Sequence, residues 1–370
     1  MREPTGFSNK SIVNLIMTIT IDCRLIDSSG IGVYLRGCLP CLLDSPHQFN
    51  LIGDINSLNT FARNRRHVKT FSCAIKTFSL KELFFFPPNL AKTINKGDLY
   101  YSPYFNIPAG ITVPVYTTIH DVVFPDMPEL TSKIGLMIRM WFYRRAFRRS
   151  KKIFTVSEFS KSRIEYYSQR RMPVIVTHSA IQPYLLNRAA APAKTDTILF
   201  IGNIKKHKGL QCLLEAFFKA REAGLTSRLI IVGSKDNFRS GDTETLGQLE
   251  KADSSVVEFT GFISDEKLRE LIGESALLVQ PSLYEGFCHP PLEAMVCGTK
   301  ALVSDIPVLR EIYEGYPVTF FHSGDSEDLK EKLLSLLYNK EPQRIVLPDY
   351  LRKKYTFEKT AAVILKELTP

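Results

Sequence analysis

Short apolar runs alternate with longer amphipathic segments along most of the chain. From Met17 onward the runs are MTITID, HQFNLIGD, VPVYTTIH and KKIFTVS, and each ends where polar residues begin. After a break the alternation returns with TILFIGN, SRLIIVGS, VVEFTGF, ALLVQPS and KALVSD. Apolar strands that alternate with helices are typical of parallel sheets. The pattern therefore predicts an α/β protein with two doubly wound domains that face each other.

The break between the two series lies in residues 181–196, IQPYLLNRAAAPAKTD, which are rich in Ala and Pro and have no strand pattern. We therefore predict an N-terminal domain over 1–180 and a C-terminal domain over 181–354. The length of 370 residues suits two domains better than one. Residues 355–370 have apolar positions at helical spacing, which predicts a final helix over an apolar surface.

Composition and charge narrow the class of protein. With 44% hydrophobic and 23% charged residues, the chain has the composition of a soluble globular protein. The net charge of +10 favours anionic partners such as nucleotides, nucleic acid or an acidic membrane surface. The seven cysteines are scattered without metal-site spacing, so reduced thiols and a cytoplasmic location are expected. The uncharged stretch 99–119 is interrupted by Pro and Gly, so we expect no integral membrane segment.

Residues 285–305, EGFCHPPLEAMVCGTKALVSD, carry the most informative motif. Glu285 and Glu293 have seven residues between them, and both stand between a predicted strand and a predicted helix. In open α/β sheets ligands bind beyond the carboxyl ends of strands, where helix N-termini attract phosphate. A phosphate bound there would leave the two carboxylates free to bind hydroxyl groups.

A basic loop follows the predicted strand ILFI. Residues 202–209, GNIKKHKG, hold Lys205, Lys206 and Lys208 where a helix opens. Cationic side chains and free helix N–H groups suit a diphosphate. A solvated helix start would explain the lysines without a ligand, and we favour the diphosphate site.

Two more candidates lie in the N-terminal half. The segment SSGIGVYLR places Gly30 and Gly32 between a strand and a helix, where backbone can approach a phosphate, although a tight turn explains them equally well. His120 and Asp121 follow the run VPVYTTI, so two titratable groups stand at the carboxyl end of a strand. The alternative for His120 is a core histidine satisfied by backbone.

Four segments together resemble the retaining glycosyltransferases of family four: TTIHDVVFPDMPEL, GNIKKHKGL, VVEFTGFIS and LVQPSLYEGFCHPPLEAMVCGTKALVSD. The resemblance implies the GT-B architecture, in which two Rossmann-like domains face a central cleft. It also implies that the helix within 355–370 returns to the N-terminal domain.

The resemblance gives the paired carboxylates their roles. Glu285 is expected to contact hydroxyls of the donor sugar at the reaction centre, and Glu293 the ribose of the nucleotide. Other donor-binding candidates are expected to contribute backbone or loop contacts; they are Gly30, Gly32, Phe262, Gly286, Phe287 and Cys288.

The resemblance also implies roles for the charged loops. Lys208 is expected to bind the diphosphate, with Lys205 and Asn203 beside it. His120 stands where the family has its active-site histidine, and Asp121 follows it as a second catalytic candidate.

The chain departs from its relatives at two adjacent positions. Cys288 stands where Gly is usual, and His289 where an apolar residue is usual. A Cβ at 288 disfavours positive φ, so either the loop avoids that conformation or the pocket differs in shape. His289 is expected to be a surface histidine at the loop edge, with contact to donor or acceptor as the alternative.

The implied reaction joins an activated sugar to an acceptor hydroxyl with retained anomeric configuration. Lys208 and loop amides would stabilise the departing phosphate, which takes the acceptor proton. No D-x-D triplet occurs in the chain, so we predict no metal requirement and no other cofactor.

By resemblance, the favoured donor is GDP-mannose and the favoured acceptor is a glycan or a polyprenyl-linked sugar of surface polysaccharide or glycolipid. A UDP-sugar is the main alternative. Another GT-B enzyme, such as a phosphorylase, is disfavoured by the short chain, and a non-enzymatic anion- or membrane-binding protein is the rival of another class. Nucleic acid is not expected.

Residues 133–152, KIGLMIRMWFYRRAFRRSKK, predict a basic amphipathic helix. Such a helix could lie on the inner face of an anionic membrane. The alternative, of equal weight, is a helix that packs its apolar face on the first sheet and leaves its basic side in water.

Overall fold

The computed structural model of the protein describes residues 16–28, 30–186, 194–233, 247, 249, 253–261, 263–338 and 344–369. These residues form two separate parallel sheets, each covered by helices. Positions 187–193 of the predicted linker lie outside the described residues.

The strands of the first sheet are β1 (Thr18–Asp22), β2 (Gln48–Gly53), β3 (Val68–Ser72), β4 (Leu99–Ser102), β5 (Val115–Thr118), β6 (Ser150–Thr155) and β7 (Val174–Val176). Their order is β3-β2-β1-β4-β5-β6-β7, and every neighbouring pair is parallel. Hydrophobic clusters lie on both faces of this sheet. Both faces are therefore covered, as the doubly wound pattern predicts.

The helices up to the second sheet are α1 (Ile31–Leu43), α2 (Ile55–Ala62), α3 (Leu80–Phe84), α4 (Pro88–Asn95), α5 (Val123–Asp126), α6 (Lys133–Arg149), α7 (Glu158–Ser168) and α8 (Pro183–Leu186), with a 3₁₀ turn at Pro128–Leu130. Several begin at a residue that caps the free N–H groups. Ser132, for example, accepts a hydrogen bond from the N–H of Gly135 at the start of α6.

The second sheet holds β8 (Thr197–Ile201), β9 (Arg228–Val232), β10 (Val257–Gly261), β11 (Leu277–Gln280), β12 (Lys300–Ser304) and β13 (Val318–Phe321), in the order β10-β9-β8-β11-β12-β13. The helices named here are α9 (Leu210–Glu222), α10 (Asp265–Glu274), α11 (Pro290–Val296), α12 (Pro307–Ile312), α13 (Ser326–Tyr338), α14 (Asp349–Arg352) and α15 (Phe357–Leu368), with a 3₁₀ turn at Lys206–Lys208.

Strand β11 is central in its sheet and buried along its whole length. Leu277 pairs with Ile198 on one side and with Lys300 on the other. Because its neighbours are parallel to it, the loops after β8, β11 and β12 meet at one edge. That edge carries the sequence motifs with the paired carboxylates and the lysines.

The last helix, α15, lies against α1 of the first half of the chain. The ring of Phe357 makes an edge contact with Tyr34 at 6.3 Å between centroids. Near the other end of α15, Lys152 donates to the Glu367 carboxylate at 2.8 Å. The helix therefore crosses back over the N-terminal sheet.

The predicted α/β fold with two doubly wound parallel sheets is confirmed. The first sheet ends at Val176 and the second begins at Thr197. The boundary at 180/181 stays a prediction within that interval.

Candidate functional site

Glu285 lies in the loop between β11 and α11, and its side chain is 8% exposed. Lys208 donates to both carboxylate oxygens, with N–O distances of 2.8 Å each. The hydroxyl of Ser282 donates to Oε1 at 2.7 Å, and the Gln280 amide in turn donates to Ser282 at 2.9 Å. A buried carboxylate is therefore held by one cation and one hydroxyl at the end of the central strand.

The protonation of this pair follows from its contacts. Burial alone raises the pKa of Glu285, but Lys208 and the Ser282 hydroxyl outweigh it and leave the pKa below its ordinary value. Burial alone lowers the pKa of Lys208, and Glu285 outweighs that effect and raises it. At neutral pH the pair is therefore a carboxylate and an ammonium ion.

The loop that carries Lys208 is tied to the loop that carries Glu285. The backbone N–H of Leu283 donates to the carbonyl of His207 at 2.8 Å. Lys205, at the start of the same 3₁₀ turn, is half-buried, and burial together with Lys208 lowers its pKa. Asn203 lies between β8 and this turn. The structure thus brings the predicted diphosphate loop and the first carboxylate together.

His120 follows β5 of the first sheet. Its Nε2 lies 3.0 Å from the carbonyl of Pro103, and a carbonyl only accepts, so Nε2 carries the proton. Burial lowers the pKa of His120 to about 4. The ring is therefore neutral at physiological pH, with Nδ1 free of a proton.

Asp121, the next residue, lies close enough to charged residues of the second half of the chain for them to affect its pKa. Burial raises its pKa, and the charges that act on it include Lys208, Glu285 and Lys205. The candidate residues of the two sheets therefore face one another across a shared cleft.

Gly286 shows how closely the two halves approach. A Cβ built on Gly286 would lie 2.4 Å from the backbone oxygen of His120 and 3.4 Å from Cβ of Asp121. Only glycine leaves room for that backbone contact. The loop of Glu285 therefore packs directly on the loop of His120.

Asp126 is a second connection between the halves. It accepts hydrogen bonds from Tyr284 at 2.8 Å, from Tyr167 at 2.7 Å and from the Arg163 guanidinium. Tyr284 directly precedes Glu285, so this cluster fixes the loop on its outer side. Sequence reasoning missed Asp126 and Tyr284, although both stand inside the quoted motifs, because nothing in the sequence pairs them.

Residues 185–350 match the family model described as glycosyl transferases group 1. Over this segment, just under half of its length, the chain is similar to the group 1 glycosyltransferases.

Two curated relatives are modestly similar to this chain. The O-antigen chain mannosyltransferase B of Escherichia coli is 28% identical over 231 residues, which is 59% of each chain. The O-antigen chain mannosyltransferase RfbU of Salmonella typhimurium is 28% identical over 200 residues, or 53% of each. In both cases the matched part spans less than two thirds of the relative.

Solved structures resemble this chain over nearly its whole length. HepE of Anabaena, solved with UDP and glucose, superposes with a TM-score of 0.71 at 16% identity and covers 95% of this chain and 99% of that one. A glycosyltransferase of Rickettsia africae gives 0.68 at 14% identity, with 96% and 98% covered. At these identities the likeness shows the GT-B fold and no more.

Glu293, the second carboxylate of the family motif, has surroundings unlike those of Glu285. It lies in the first turn of α11, and burial, with Asp265 nearby, raises its pKa to about 7. Among the described residues no side chain donates a hydrogen bond to it. At neutral pH Glu285 is therefore ionised, whereas Glu293 is close to half protonated.

Cys288 adopts the left-handed conformation, with φ of 69°. The loop therefore keeps the backbone that glycine would favour, despite the Cβ. The hydroxyl of Tyr313 donates to the Cys288 carbonyl and accepts from the N–H of Leu292 at 3.2 Å. The ring of Phe287, one residue earlier, contacts Tyr355 at 5.2 Å between centroids. These contacts hold the strained turn in place.

The expectation of a surface position for His289 is wrong. His289 is half-buried, and its Nε2 lies 2.6 Å from the hydroxyl of Ser179, which belongs to the segment after β7. Burial lowers the pKa of His289 to about 4. This histidine joins the two halves of the chain beside the cleft.

The loop that contains Gly30 leads into α1, and α1 contacts the site. Gly30 has φ of 68°, a conformation that glycine adopts readily, while the N–H of Gly32 is taken by the hydroxyl of Ser28 at 3.2 Å. One turn later the ring of Tyr34 meets His120 edge-on at 4.9 Å. Phe262, predicted as a donor-binding residue, lies outside the described residues.

Within the described ranges, no three His, Cys, Asp or Glu side chains are grouped so that they could hold a metal ion.

Proposed function

We propose that the protein is a retaining glycosyltransferase that moves a hexose, with mannose favoured, from a nucleoside-diphosphate sugar to an acceptor hydroxyl. One observation carries the proposal: the Lys208–Glu285 pair lies at the carboxyl end of a central strand and faces Asp121 of the other domain. A cation for diphosphate and a carboxylate for sugar hydroxyls are thereby adjacent. The match of residues 185–350 to the model of the group 1 glycosyltransferases supports this interpretation.

The donor site is proposed to extend from Lys208 to Glu293. Lys208 and Lys205 bind the diphosphate, Glu285 accepts hydrogen bonds from the sugar, and Glu293 accepts from the ribose. The contact of Gly286 with His120 brings the two loops together, which supports a sugar position beside that contact, within reach of both loops.

In the proposed reaction the acceptor oxygen attacks the anomeric carbon on the face from which the diphosphate leaves. The bond between that carbon and the phosphate oxygen breaks, and the departing phosphate takes the acceptor proton. Lys208 stabilises the growing negative charge, while the Glu285 carboxylate favours the positive sugar ring. No covalent glycosyl-enzyme and no metal ion are needed in this scheme.

The sugar preference rests on relatives. Two relatives described as O-antigen chain mannosyltransferases support mannose, and hence GDP-mannose. The alternative is a UDP-sugar, which the structure of HepE with UDP-glucose favours. A non-enzymatic anion- or membrane-binding protein would leave the Lys208–Glu285 pair without a role.

The proposed acceptor is a lipid-linked or oligosaccharide chain in surface polysaccharide or glycolipid assembly, reached from the cytoplasm at the inner face of the membrane. None of the helices in the described part of the chain is long and apolar enough to span a bilayer. The attachment that we propose is peripheral.

Thermal unfolding with GDP and, separately, with UDP tests the proposal. A ligand that binds only the folded state stabilises it, by roughly 2.7 kcal/mol at a hundredfold excess over Kd. Stabilisation by GDP that is lost in Glu293→Ala would support the proposed donor site and guanine as the nucleobase of the donor. Stabilisation by UDP alone would keep the enzyme class and overturn GDP-mannose, and no stabilisation by either would overturn the proposal.

A further inference from the structure

Large apolar side chains are exposed on two short segments of the N-terminal domain. The first segment is α3 with the residue after it, where Leu80, Phe84 and Phe85 are each at least two thirds exposed. The second is the first half of α6; its exposed apolar residues are Ile134, Met137, Ile138 and Trp141. These seven make up more than half of the exposed large apolar side chains in the described residues, so the exposure is concentrated.

Helix α6 divides its apolar residues between two faces. Phe142, Tyr143, Ala146 and Phe147 are buried against the domain. The exposed apolar residues stand at helical spacing from 134 to 141, and Arg144 and Arg148 continue the same exposed stripe. A helix that only packs its apolar face on the sheet does not explain this outer stripe.

The two segments flank one loop, residues 107–109. An N–H of that loop donates to the carbonyl of Glu82 in α3 at 2.9 Å, and Arg145 of α6 donates to a carbonyl of the loop at 3.2 Å. Phe78, just before α3, contacts Phe142 of α6 at 4.8 Å between ring centroids. The two exposed segments are therefore neighbours.

Every exposed charge on these segments is positive. Residues 131–152 contain no acidic residue, and residues 74–96 contain only Glu82. Glu82 is fully buried and paired with Arg24, so it contributes nothing to the outer surface. The exposed lysines of residues 74–96 are Lys76, Lys81, Lys92 and Lys96.

We propose that α3 with Phe85 and the outer stripe of α6 together form a surface, the apolar-basic surface, that inserts into an anionic lipid bilayer. Apolar side chains favour the acyl region, Trp favours the headgroup level, and basic residues are attracted to anionic lipid. This combination of an apolar centre with exclusively basic charges fits a bilayer better than a neutral protein surface.

The buried side of this surface is joined to the cleft. Tyr143 of α6 donates to the carbonyl of Asp121 at 3.2 Å. Tyr104 lies between Phe78, at 5.3 Å, and His120, at 6.4 Å, between ring centroids. Membrane insertion would therefore hold the His120 side of the cleft close to the lipid surface. The membrane proposal does not depend on the sugar-transfer proposal, and each can be wrong while the other is correct.

Trp141 provides the first test, because it is the chain's only tryptophan and lies on the proposed surface. Vesicles of phosphatidylcholine mixed with phosphatidylglycerol should shift its fluorescence to the blue, and brominated lipid should quench it. Raised salt should weaken both effects. An unchanged spectrum with anionic vesicles would overturn the proposal.

Vesicle co-sedimentation of variants separates the two segments. Phe84→Ser/Phe85→Ser and Ile134→Ser/Met137→Ser should each weaken binding by roughly tenfold or more, because each removes two apolar side chains that would enter the bilayer. Val346→Ser, at an exposed apolar residue outside both segments, should bind like the unaltered protein. Unchanged binding of the α3 variant would overturn the two-segment surface.

Two controls accompany the serine variants. Stabilisation by nucleotide should persist in the two double serine variants. That result would show that the variants are folded, and it would separate the membrane proposal from the transfer proposal. A second copy of the chain is the competing occupant. If the protein dimerises without lipid, the serine variants abolish the dimer, and vesicle binding is unaffected, the surface is a dimer interface and the membrane proposal is wrong.

Discussion

The ammonium group of Lys208 lies 2.8 Å from each carboxylate oxygen of Glu285, inside the cleft between the two domains. In the proposed reaction these side chains bind different parts of the donor, the diphosphate and the sugar. The donor diphosphate and Glu285 therefore compete for one cation. Removal of this ion pair should therefore change the free energy of unfolding as well as the affinity for the donor.

Lys208→Ala should lower the free energy of unfolding by roughly 2–3 kcal/mol, because it leaves the Glu285 carboxylate buried without its cation. The value is reduced from that of a fully buried pair because Lys208 is 23% exposed. Lys208→Ala/Glu285→Ala should cost less than the sum of the single variants. Denaturant unfolding at pH 7 measures all three, and strict additivity would show that the pair contributes nothing.

Glu293→Gln should change how stability depends on pH. Burial raises the pKa of Glu293 to about 7 in the folded protein, above that of an unfolded glutamate. Between about pH 4.5 and 7 the folded state therefore binds more protons than the unfolded state. The free energy of unfolding should fall over this range, by up to about 3 kcal/mol, as the pH rises. The glutamine variant should lack this loss.

Thermal unfolding of both proteins across this pH range is the measurement, and the gap in favour of the variant should widen from pH 4.5 to 7. A constant gap would show that Glu293 titrates normally. Nucleotide stabilisation should be weakened in the same variant, because the amide cannot replace both carboxylate acceptors for the ribose hydroxyls.

Gly286→Ala should destabilise the contact between the domains. The new methyl group would lie 2.4 Å from the His120 backbone oxygen, and overpacking of this kind costs about 1–3 kcal/mol. Sugar transfer should be lost as the two loops separate. Gly247→Ala is the matched control, because a Cβ there meets no atom of the described residues within 4 Å. Equal stability of the two variants would contradict the close approach.

Most central strands of both sheets could be predicted from the sequence because they are buried apolar runs. The exception is β4, a strand of four residues in the middle of the first sheet. Strands β3, β7 and β13 carried no such signal. Each lies at the edge of its sheet; β3 is buried only at Val68, and β13 is mostly half-buried. Edge strands have fewer apolar neighbours and need fewer apolar residues, so periodicity misses them.

The chemistry of the site was predictable wherever residues close in sequence carried it. The motif around Glu285 and the loop of Lys208 could each be found separately, but their ion pair depends on the order of β8 and β11 in the sheet. The Ser179–His289 and Asp126–Tyr284 contacts join residues more than 100 positions apart. Without a partner in view, His289 was wrongly predicted to lie on the surface.

Transfer should survive a metal chelator. In the proposed reaction Lys208 and Lys205 provide the positive charge that a divalent ion provides in metal-dependent transferases, so EDTA should leave the initial rate unchanged. The assay is sugar transfer, or donor hydrolysis, with and without chelator. Loss of turnover that added Mg²⁺ or Mn²⁺ restores would overturn metal independence and leave the fold assignment intact.

Replacement of Cys288 separates backbone strain from side-chain packing. Its φ of 69° costs an ordinary residue roughly 1–2 kcal/mol, whereas glycine adopts it freely. Cys288→Ala keeps the strain and loses the thiol, while Cys288→Gly loses both. We therefore expect Cys288→Gly to be more stable than Cys288→Ala by about 1 kcal/mol in denaturant unfolding, although glycine is ordinarily the less stabilising of the two. If the alanine variant were the more stable, the turn would relax to negative φ without cost, and the Tyr313 hydrogen bond to the Cys288 carbonyl would not be what holds it.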